Sequence, residues 1–594
     1  MRRWFAVLAA LFLIKGLCGE PARADVTYKT DFAGTEEKQL LTELKGVSQL
    51  VKLEDKPPLS EDGLRRRADE DVPRLKEVLQ SQGYWEGAVA YSLATDANPA
   101  KVTVTVTPGP LYHLAHVAVT TQRGSAAPDV GSLDPASFGL KLGDPAGSAP
   151  VLDAEKKITD EYARRARPFA KVLDHKAVVD RGTKTMSVTY VVDPGPLAKF
   201  GPYTIAGLSR LGSDYVERRI AWREGETYDQ RKVEATRKAL TDSELFSTVR
   251  IDHAETLNEA GEVPMRIDLV ERPRHSIGAG IAYNTSEGFG ANAFWEDRNL
   301  FGGGEKLRLD ADAAQQRRDL IANFRKPDLL GSKDRDLTTL AEIVDENPVA
   351  YTARRELVSP GVEQRFGGVY TAGLAVQAQH AIVTEAARDI GDTYSLAGLP
   401  FFLRRDTRND VLNPTEGSRE SLMFSPNTSF TGPSLTFLNS RFDADTYHRI
   451  GSTDDYVAAA FLGVGSIVGP SRDTLPADQR LYAGGGGSLR GYAFQLAGPL
   501  GPGNKPLGGR SLVQFGTELR TKITDTIGIV PFLEAGNVYT SPLPDFHGGL
   551  LYDAGIGLRY FTPIGPVRLD IATPLKRRSA DPLVQIYISI GQAF

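Results

Sequence analysis

Gly484-Gly485-Gly486-Gly487-Ser488-Leu489-Arg490-Gly491-Tyr492 is the stretch on which the reading of this chain turns. Four consecutive glycines give backbone freedom and almost no bulk, which suits a loop that folds back and passes close to other backbone. Arg490, between Leu489 and Gly491, carries a fixed charge into whatever space that loop enters. Alone, the stretch also reads as an ordinary turn. Its flanks shift that reading, because it sits among short alternating segments near the end of a long β-rich region.

Outward from the loop, the alternation is clear. From His275 glycines crowd in, at Gly278, Gly280, Gly288, Gly290 and Gly302-Gly303-Gly304, with short runs and turn residues between them. Ile556-Gly557-Leu558-Arg559-Tyr560 alternates apolar with small or charged residues. Val567-Arg568-Leu569-Asp570-Ile571 sets Arg568 and Asp570 on one face and three aliphatics on the other. Val584, Ile586, Ile588, Ile590 and the terminal Phe594 share one parity, and Gln585, Tyr587, Ser589 and Gly591 the other. A period of two with one apolar and one polar face predicts strands. A membrane barrel needs that pattern, with lipid outside and water inside. A water-soluble sandwich gives it too, with the apolar face turned inward. Residues 275–594 leave room for about sixteen strands at roughly 20 residues per strand and turn. The aromatic end of the last alternating run favours the barrel.

The first half carries a weak internal repeat, the feature to be sought before any other. Val102-Thr103-Val104-Thr105-Val106-Thr107-Pro108-Gly109-Pro110 and Val188-Thr189-Tyr190-Val191-Val192-Asp193-Pro194-Gly195-Pro196 are both β-rich runs ending in Pro-Gly-Pro. Met265-Arg266-Ile267-Asp268-Leu269-Val270-Glu271-Arg272-Pro273 has the strand with a degraded ending. Upstream of each lies a further strand candidate, at 84–93, 169–179 and 246–254. Before those come amphipathic helix candidates at 64–80, 152–166 and 230–243. Each unit thus reads strand, helix or helices, strand, strand, a size that folds as a small domain. The clusters Arg65-Arg66-Arg67 and Arg164-Arg165 fall on these helices and read as solvated faces.

The chain begins like a secretory signal over residues 1–24. Arg2 and Arg3 supply the positive start, residues 4–14 an apolar run too short to span a bilayer, and Ala22-Arg23-Ala24 a small-x-small cleavage site before Asp25. Cys18 is the single cysteine, so cysteine chemistry in the mature chain is excluded. Leu17 before it and Lys15 three residues back argue against lipid anchoring there. The formal net charge is −5, with no basic stripe, which excludes a nucleic-acid partner. After residue 24 no apolar run reaches 18 residues, so a membrane assignment requires a closed barrel.

The motifs in the second half resemble the Omp85 superfamily. Residues 294–305, from Phe294 to Glu305, resemble its early hairpin. Asp406-Thr407-Arg408-Asn409-Asp410 with Pro414-Thr415-Glu416-Gly417 resembles its mid-barrel motif. Gly487-Ser488-Leu489-Arg490-Gly491-Tyr492 is similar to its inward-folded loop, and residues 530–539 and 557–570 to its closing strands. The repeated units resemble POTRA domains, three in tandem at 25–108, 109–196 and 197–272, before a barrel at 273–594. The implied fold class is α+β tandem units followed by a transmembrane antiparallel β-barrel of about sixteen strands. Three units, rather than five or two, resemble the TamA-like branch, the outer-membrane subunits of translocation and assembly modules; residues 499–512 have the same look.

The resemblance implies an inward loop whose Arg490 pairs with a lumen carboxylate. Glu534 is the first choice and Glu518 the second. The family places Asp where this chain has Glu534, which reaches one methylene further. It also implies a seam between the first strand, with Ile277, Ala279 and Ile281, and the last, with Ile588, Ile590 and Phe594. Gly278, Gly280 and Gly591 suit a weak seam or a barrel bend equally.

No His-Glu-x-x-His, Gly-x-Ser-x-Gly or Gly-Lys-Ser/Thr cradle is present, and the eight histidines lack ligand spacing. No enzyme, metal or cofactor is expected. Three functions stay open: an assembly or insertion factor, a two-partner-secretion-type transporter exporting one partner, or a passive outer-membrane channel. The first implies unfolded outer-membrane protein or autotransporter clients, a TamB-like periplasm-spanning partner, and the lipid bilayer of the outer membrane, with the three units in the periplasm.

Overall fold

The structure, a computed structural model, describes residues 26–593 apart from 123–127, 131–132, 285–287, 563–564 and 591. The leader at residues 1–24 with Cys18, and Gly591 and Phe594 of the last strand, lie outside the described residues.

Three small α/β sheets come first. In the first, β1 (Tyr28–Ala33) is followed by α1 (Lys38–Val47), α2 (Gln49–Lys52) and α3 (Glu61–Ser81), then β2 (Ala88–Ala94) and β3 (Ala100–Thr107). The sheet order is β1-β3-β2, with β1 parallel and β2 antiparallel to β3. Ser60 caps α3, its side chain accepting from the Gly63 N–H. Leu64, Ala68, Leu75 and Leu79 recur on one helical face and join Val102, Val104 and Val106 in one core. The second unit repeats the plan with β4 (His113–Thr121), α4 (Ser148–Arg164), β5 (Lys171–Asp180) and β6 (Thr185–Asp193), in the order β4-β6-β5. Ile158 and Tyr162 of α4 share its core with Val188, Tyr190 and Val192. The third has β7 (Lys199–Ala206), α5 (Ser213–Glu217), α6 (Gln230–Thr241), β8 (Phe246–His253) and β9 (Glu262–Glu271), in the order β7-β9-β8.

The arginine clusters are not purely solvated faces. Arg67 Nη1 donates to Tyr28 Oη at 2.8 Å and to the Leu53 carbonyl at 3.0 Å, tying α3 to β1 and the preceding turn. Arg165 pairs with Glu161 one turn back at 2.7 Å. The first expectation fails for Arg67 because its long stem lets the guanidinium reach carbonyls at a helix end.

The second half is a closed antiparallel barrel. Its strands are β10 (His275–Asn284), β11 (Gly288–Arg298), β12 (Lys306–Ala314), β13 (Arg317–Lys326), β14 (Arg335–Glu346), β15 (Tyr351–Phe366), β16 (Tyr370–Ala375), β17 (Gln377–Glu385) and β18 (Ile390–Gly398). They continue as β19 (Phe401–Asp406), β20 (Gly417–Thr431), β21 (Thr436–Arg449), β22 (Tyr456–Val468), β23 (Ser511–Lys522), β24 (Ile527–Tyr539), β25 (Leu551–Thr562), β26 (Gly565–Pro574) and β27 (Gln585–Ile590).

Two of these breaks are local. The register on β15 runs on from Gly361↔Ala375 to Val358↔Ala378, so β16 and β17 are one strand. β18 and β19 likewise keep one register against it, from Gln377↔Gly398 to Gly373↔Phe402. The ladder thins there because Pro360 and Pro400 lack an N–H. Their carbonyls still accept from Val376 and Ala375 at 2.9 Å. The described strand segments therefore make sixteen strands, as the length predicts.

The barrel's amphipathicity is that of a membrane protein. Ile281 is 91% exposed on the outer wall, and Ile343, Leu533, Ile556 and Ile571 are exposed beside their own strands' inward charges. Glu518, Glu534, Asp553, Arg559 and Asp570 are buried inside. This removes the water-soluble sandwich, whose apolar face would be the covered one. Among the described residues no helix is long and apolar enough to cross a membrane.

At the barrel's entrance, α5 meets the first turns. Arg219 holds Asp328, in the β13–β14 turn, through two donors at 2.9 and 3.0 Å, and Arg218 adds a third at 2.8 Å. The Arg219 guanidinium lies 3.4 Å from the Tyr215 ring centroid. Nearby, the Glu271 carboxylate accepts from the N–H groups of Ser209, Arg210 and Leu211 at 2.9–3.1 Å. Burial pushes the Glu271 carboxyl up, but those N–H groups outweigh it and bring it down to about 2.

Candidate functional site

The glycine loop belongs to the long connection between β22 and β23, and it lies inside the barrel. Leu489 and Tyr492 are fully buried and Arg490 is 1% exposed. The backbone turns at Gly484 and Gly485, both at φ +103°, a region that an L side chain rarely enters. Gly491 is required for a second reason. A Cβ there would sit 2.3 Å from the Asp553 Cβ and 2.9 Å from the Thr573 backbone.

Arg490 meets three carboxylates. Its Nε donates to Glu534 Oε1 at 2.8 Å, and its own backbone N–H donates to Glu534 Oε2 at 2.7 Å. Nη2 lies 2.7 Å from Glu534 Oε1 and 2.8 Å from Glu518 Oε1. Nη1 donates to Asp570 Oδ2 at 2.8 Å. The guanidinium face rests 3.4 Å from the centroid of Phe532. A planar fork of donors can satisfy several carboxylates at once, which Lys could not do.

The strands place these groups. Phe532 and Glu534 alternate along β24 on its inner face, and Glu518 on β23 stands opposite Phe532. Asp553 on β25 stands opposite Glu534, and Asp570 on β26 opposite Gly557. Arg559 also holds Asp570, at 2.5 Å, and Arg520 holds Glu518 at 3.1 Å. One loop arginine thus joins β23, β24 and β26 through a buried network. Tyr492 extends it, donating to the carbonyls of Tyr552 and Lys576 at 3.2 Å, and Tyr587 donates to the Tyr492 carbonyl at 3.4 Å. Across the lumen, Arg480 of the same connection pairs with Glu385 on β17 at 2.8 Å, and Tyr394 on β18 donates to Asp478.

Both carboxylates expected from the sequence, Glu534 and Glu518, are placed against Arg490. Asp570, Asp553 and Phe532 were not singled out as partners. Asp570's inward parity was readable, but its distance along the chain gave no pairing with residue 490. One Glu534 carboxylate reaches both the backbone N–H and the guanidinium of Arg490.

The expected seam lies where β10 meets β27. β10 pairs with β11 along its full length, from His275↔Asp297 to Asn284↔Gly288. With β27 it pairs, among the described residues, only at Tyr283↔Ile588 and Asn284↔Tyr587. Ile277, Ala279 and Ile281 lie on the outward face of β10, and Ile588 is outward on β27. Ile590 ends β27. Over residues 275–282, β10 has no strand partner on the seam side among the described residues.

A sixteen-strand antiparallel barrel, closed over two residue pairs and carrying an arginine-clamped loop in its lumen, defines a class of outer-membrane barrel. Residues 299–594 match the Omp85 superfamily domain, and this half of the chain belongs to that superfamily. The chain is 24% identical over 462 residues to the outer membrane protein assembly factor BamA of Nitratidesulfovibrio vulgaris, covering 74% of this chain and 57% of that protein. It is 21% identical to BamA of Neisseria meningitidis serogroup B, over 69% of this chain and 58% of that one. The chain spans less than three-fifths of the length of these two relatives. A SAM50-like protein of Schizosaccharomyces pombe is 24% identical over 56% of this chain and 75% of its own. The crystal structure of BamA from Haemophilus ducreyi lacking POTRA domains 1–3 superposes with a TM-score of 0.61 at 19% identity, covering 80% of this chain and 99% of that one. That likeness establishes the fold.

Proposed function

We propose that this protein is an outer-membrane assembly factor that inserts or translocates β-barrel clients through the β10–β27 seam. Its three α/β units, in the periplasm, dock partners. The observation that carries this reading is the seam itself. The N–H and C=O groups of an unpaired strand edge bind another strand readily, and a barrel otherwise abolishes such edges. Among the described residues most of β10 presents one. A client strand can add to it by backbone hydrogen bonds that do not depend on side-chain identity. Edge pairing, with no covalent chemistry, is then the activity.

The loop clamp serves this by holding β23 to β26 in register while the neighbouring edge opens. Three α/β units favour the TamA-like branch, with autotransporters among the clients and a long TamB-like periplasm-spanning protein as partner.

The test locks the seam. Tyr283→Cys with Ile588→Cys places two cysteines at paired positions, in a chain whose one other cysteine is Cys18. Reconstituted in proteoliposomes, the oxidised variant should fail to insert an unfolded client barrel, and reduction should restore insertion. Equal insertion in both redox states removes the gate. Depleting the protein and surveying the outer-membrane proteome identifies the clients.

A further inference from the structure

Residues 406–417 form the turn between β19 and β20. Strand alternation puts it at the same end of the barrel as the β13–β14 turn. Its own side chains build it. Asn409 Oδ1 accepts from the N–H groups of Thr415 and Glu416 at 3.0 and 3.2 Å. Asp410 Oδ1 accepts from those of Leu412 and Asn413, both at 2.7 Å. Arg520 of β23 donates to the Pro414 carbonyl at 3.3 Å, and Arg449 of β21 to Glu416 at 2.6 Å. Asn413 is thereby fixed in place, and its Oδ1 accepts from Gln592 Nε2 at 2.8 Å.

The other side of the Gln592 amide sets its orientation. Arg559 Nε donates to Gln592 Oε1 at 2.9 Å, and an arginine has no acceptor for Nε2. Arg559 Nη1 in turn reaches Asp570 Oδ1 at 2.5 Å, and Asp570 Oδ2 takes Arg490. One run of polar contacts thus leads from the lumen loop through β26 and β25 to the end of the chain, and on to the β19–β20 turn.

Counted along β27, Gln592 falls on the parity of Ile586 and Ile588, which are exposed on the outer wall. A strand continued regularly would put its amide in lipid, where a polar group without a partner is costly. Inside, the amide finds a charged donor and an acceptor. Carried on, the register Tyr283↔Ile588 would set Ile281 against Ile590 and Ala279 against Gln592. Neither pair forms among the described residues.

We infer that the β19–β20 turn is a docking site for the end of this chain, a latch that draws Gln592 into the lumen and keeps the last strand from zipping onto β10. Its role rests on the seam being the working site, because the latch sets how much of β10 is left for a client strand. Asn413, Arg559 and Gln592 are positioning residues.

The test is the oxidation rate of Ile281→Cys with Ile590→Cys in proteoliposomes without a client. Asn413→Ala removes the acceptor, and Gln592→Ile restores an apolar side chain at the outward parity. Each should speed crosslinking about ten-fold, the loss of one hydrogen bond made by a charge-linked amide. Asn413→Asp keeps the acceptor and should leave the rate unchanged. Folding is checked by the heat-dependent gel shift of the intact barrel; if Asn413→Ala does not fold, Gln592→Ile carries the test. A rate that does not rise in a folded variant, or Asn413→Asp as fast as Asn413→Ala, overturns the latch. The rate is read without a client, so that result leaves the assembly reading to the locked-seam experiment.

Discussion

β23 pairs with β24 from Ser511 to Lys522, and Arg490 then ties both to β26 through Glu518, Glu534 and Asp570. One strand beyond β26, β27 meets β10, among the described residues, at Tyr283↔Ile588 and Asn284↔Tyr587 alone. A joint clamped by buried charge and a barely paired one are thus near neighbours. Their difference lies in inward charge. Late strands carry buried carboxylates and arginines that need the loop, whereas the outward apolar residues of β10 ask nothing of β27. A wall held on one side of an opening and loose on the other can part at one place without losing its register elsewhere.

Hydrogen exchange in nanodiscs probes this contrast most strongly. Seam-facing amides of residues 277–282 should exchange about 100-fold faster than those of residues 530–535, because local opening of an unpaired edge costs little. Equal protection would erase the distinction. Next in size, Arg490→Ala removes the arginine from buried Glu534 and one of the partners of Glu518 and Asp570, and should cost about 3–5 kcal/mol of barrel stability, read from thermal loss of the gel-shifted form. Arg490→Lys should recover only part of it, since a single ammonium cannot fork between three acceptors. Parental stability in Arg490→Ala would mean the loop does not clamp the wall.

Away from both joints, Arg219→Ala strips the paired donors from Asp328 and should cost about 2–3 kcal/mol locally, seen as faster proteolysis near α5 with the barrel gel shift unchanged. The smallest effect is acidic. Glu271 titrates at about 2 when folded against 4.5 unperturbed. Its stabilisation is therefore present above about pH 4.5 and is lost as pH falls through 2. After allowance for its partly wet surroundings it amounts to about 2 kcal/mol. Glu271→Gln should flatten that acid limb; an unchanged limb would assign it to other carboxylates.

Much of this was legible in the chain. Period-two alternation in residues 556–571 and 584–590 fixed which side chains face together, and strand length fixed the count. Direction was not legible, since the same alternation serves a soluble sandwich until outer faces such as Ile281 are seen to be exposed. Pairing at long range was the other gap. Glu534 entered through a motif, while Asp570 and Phe532 reach Arg490 only because three strands curve round one loop. The ladder breaks at Pro360 and Pro400 are seen in the structure alone, where the shared register shows that their strands continue.

Convergence of three carboxylates on Arg490 also has a consequence for how the chain builds itself. Residue 490 precedes all three acidic partners in sequence, so it is synthesised before the strands whose charge it neutralises. Until the loop is inside, Glu518 and Asp570 have Arg520 and Arg559 of the wall, while Glu534 faces Asp553 and takes its arginine from the loop. The loop thus brings the counter-ion for Glu534 to a wall that supplies its own arginines to Glu518 and Asp570.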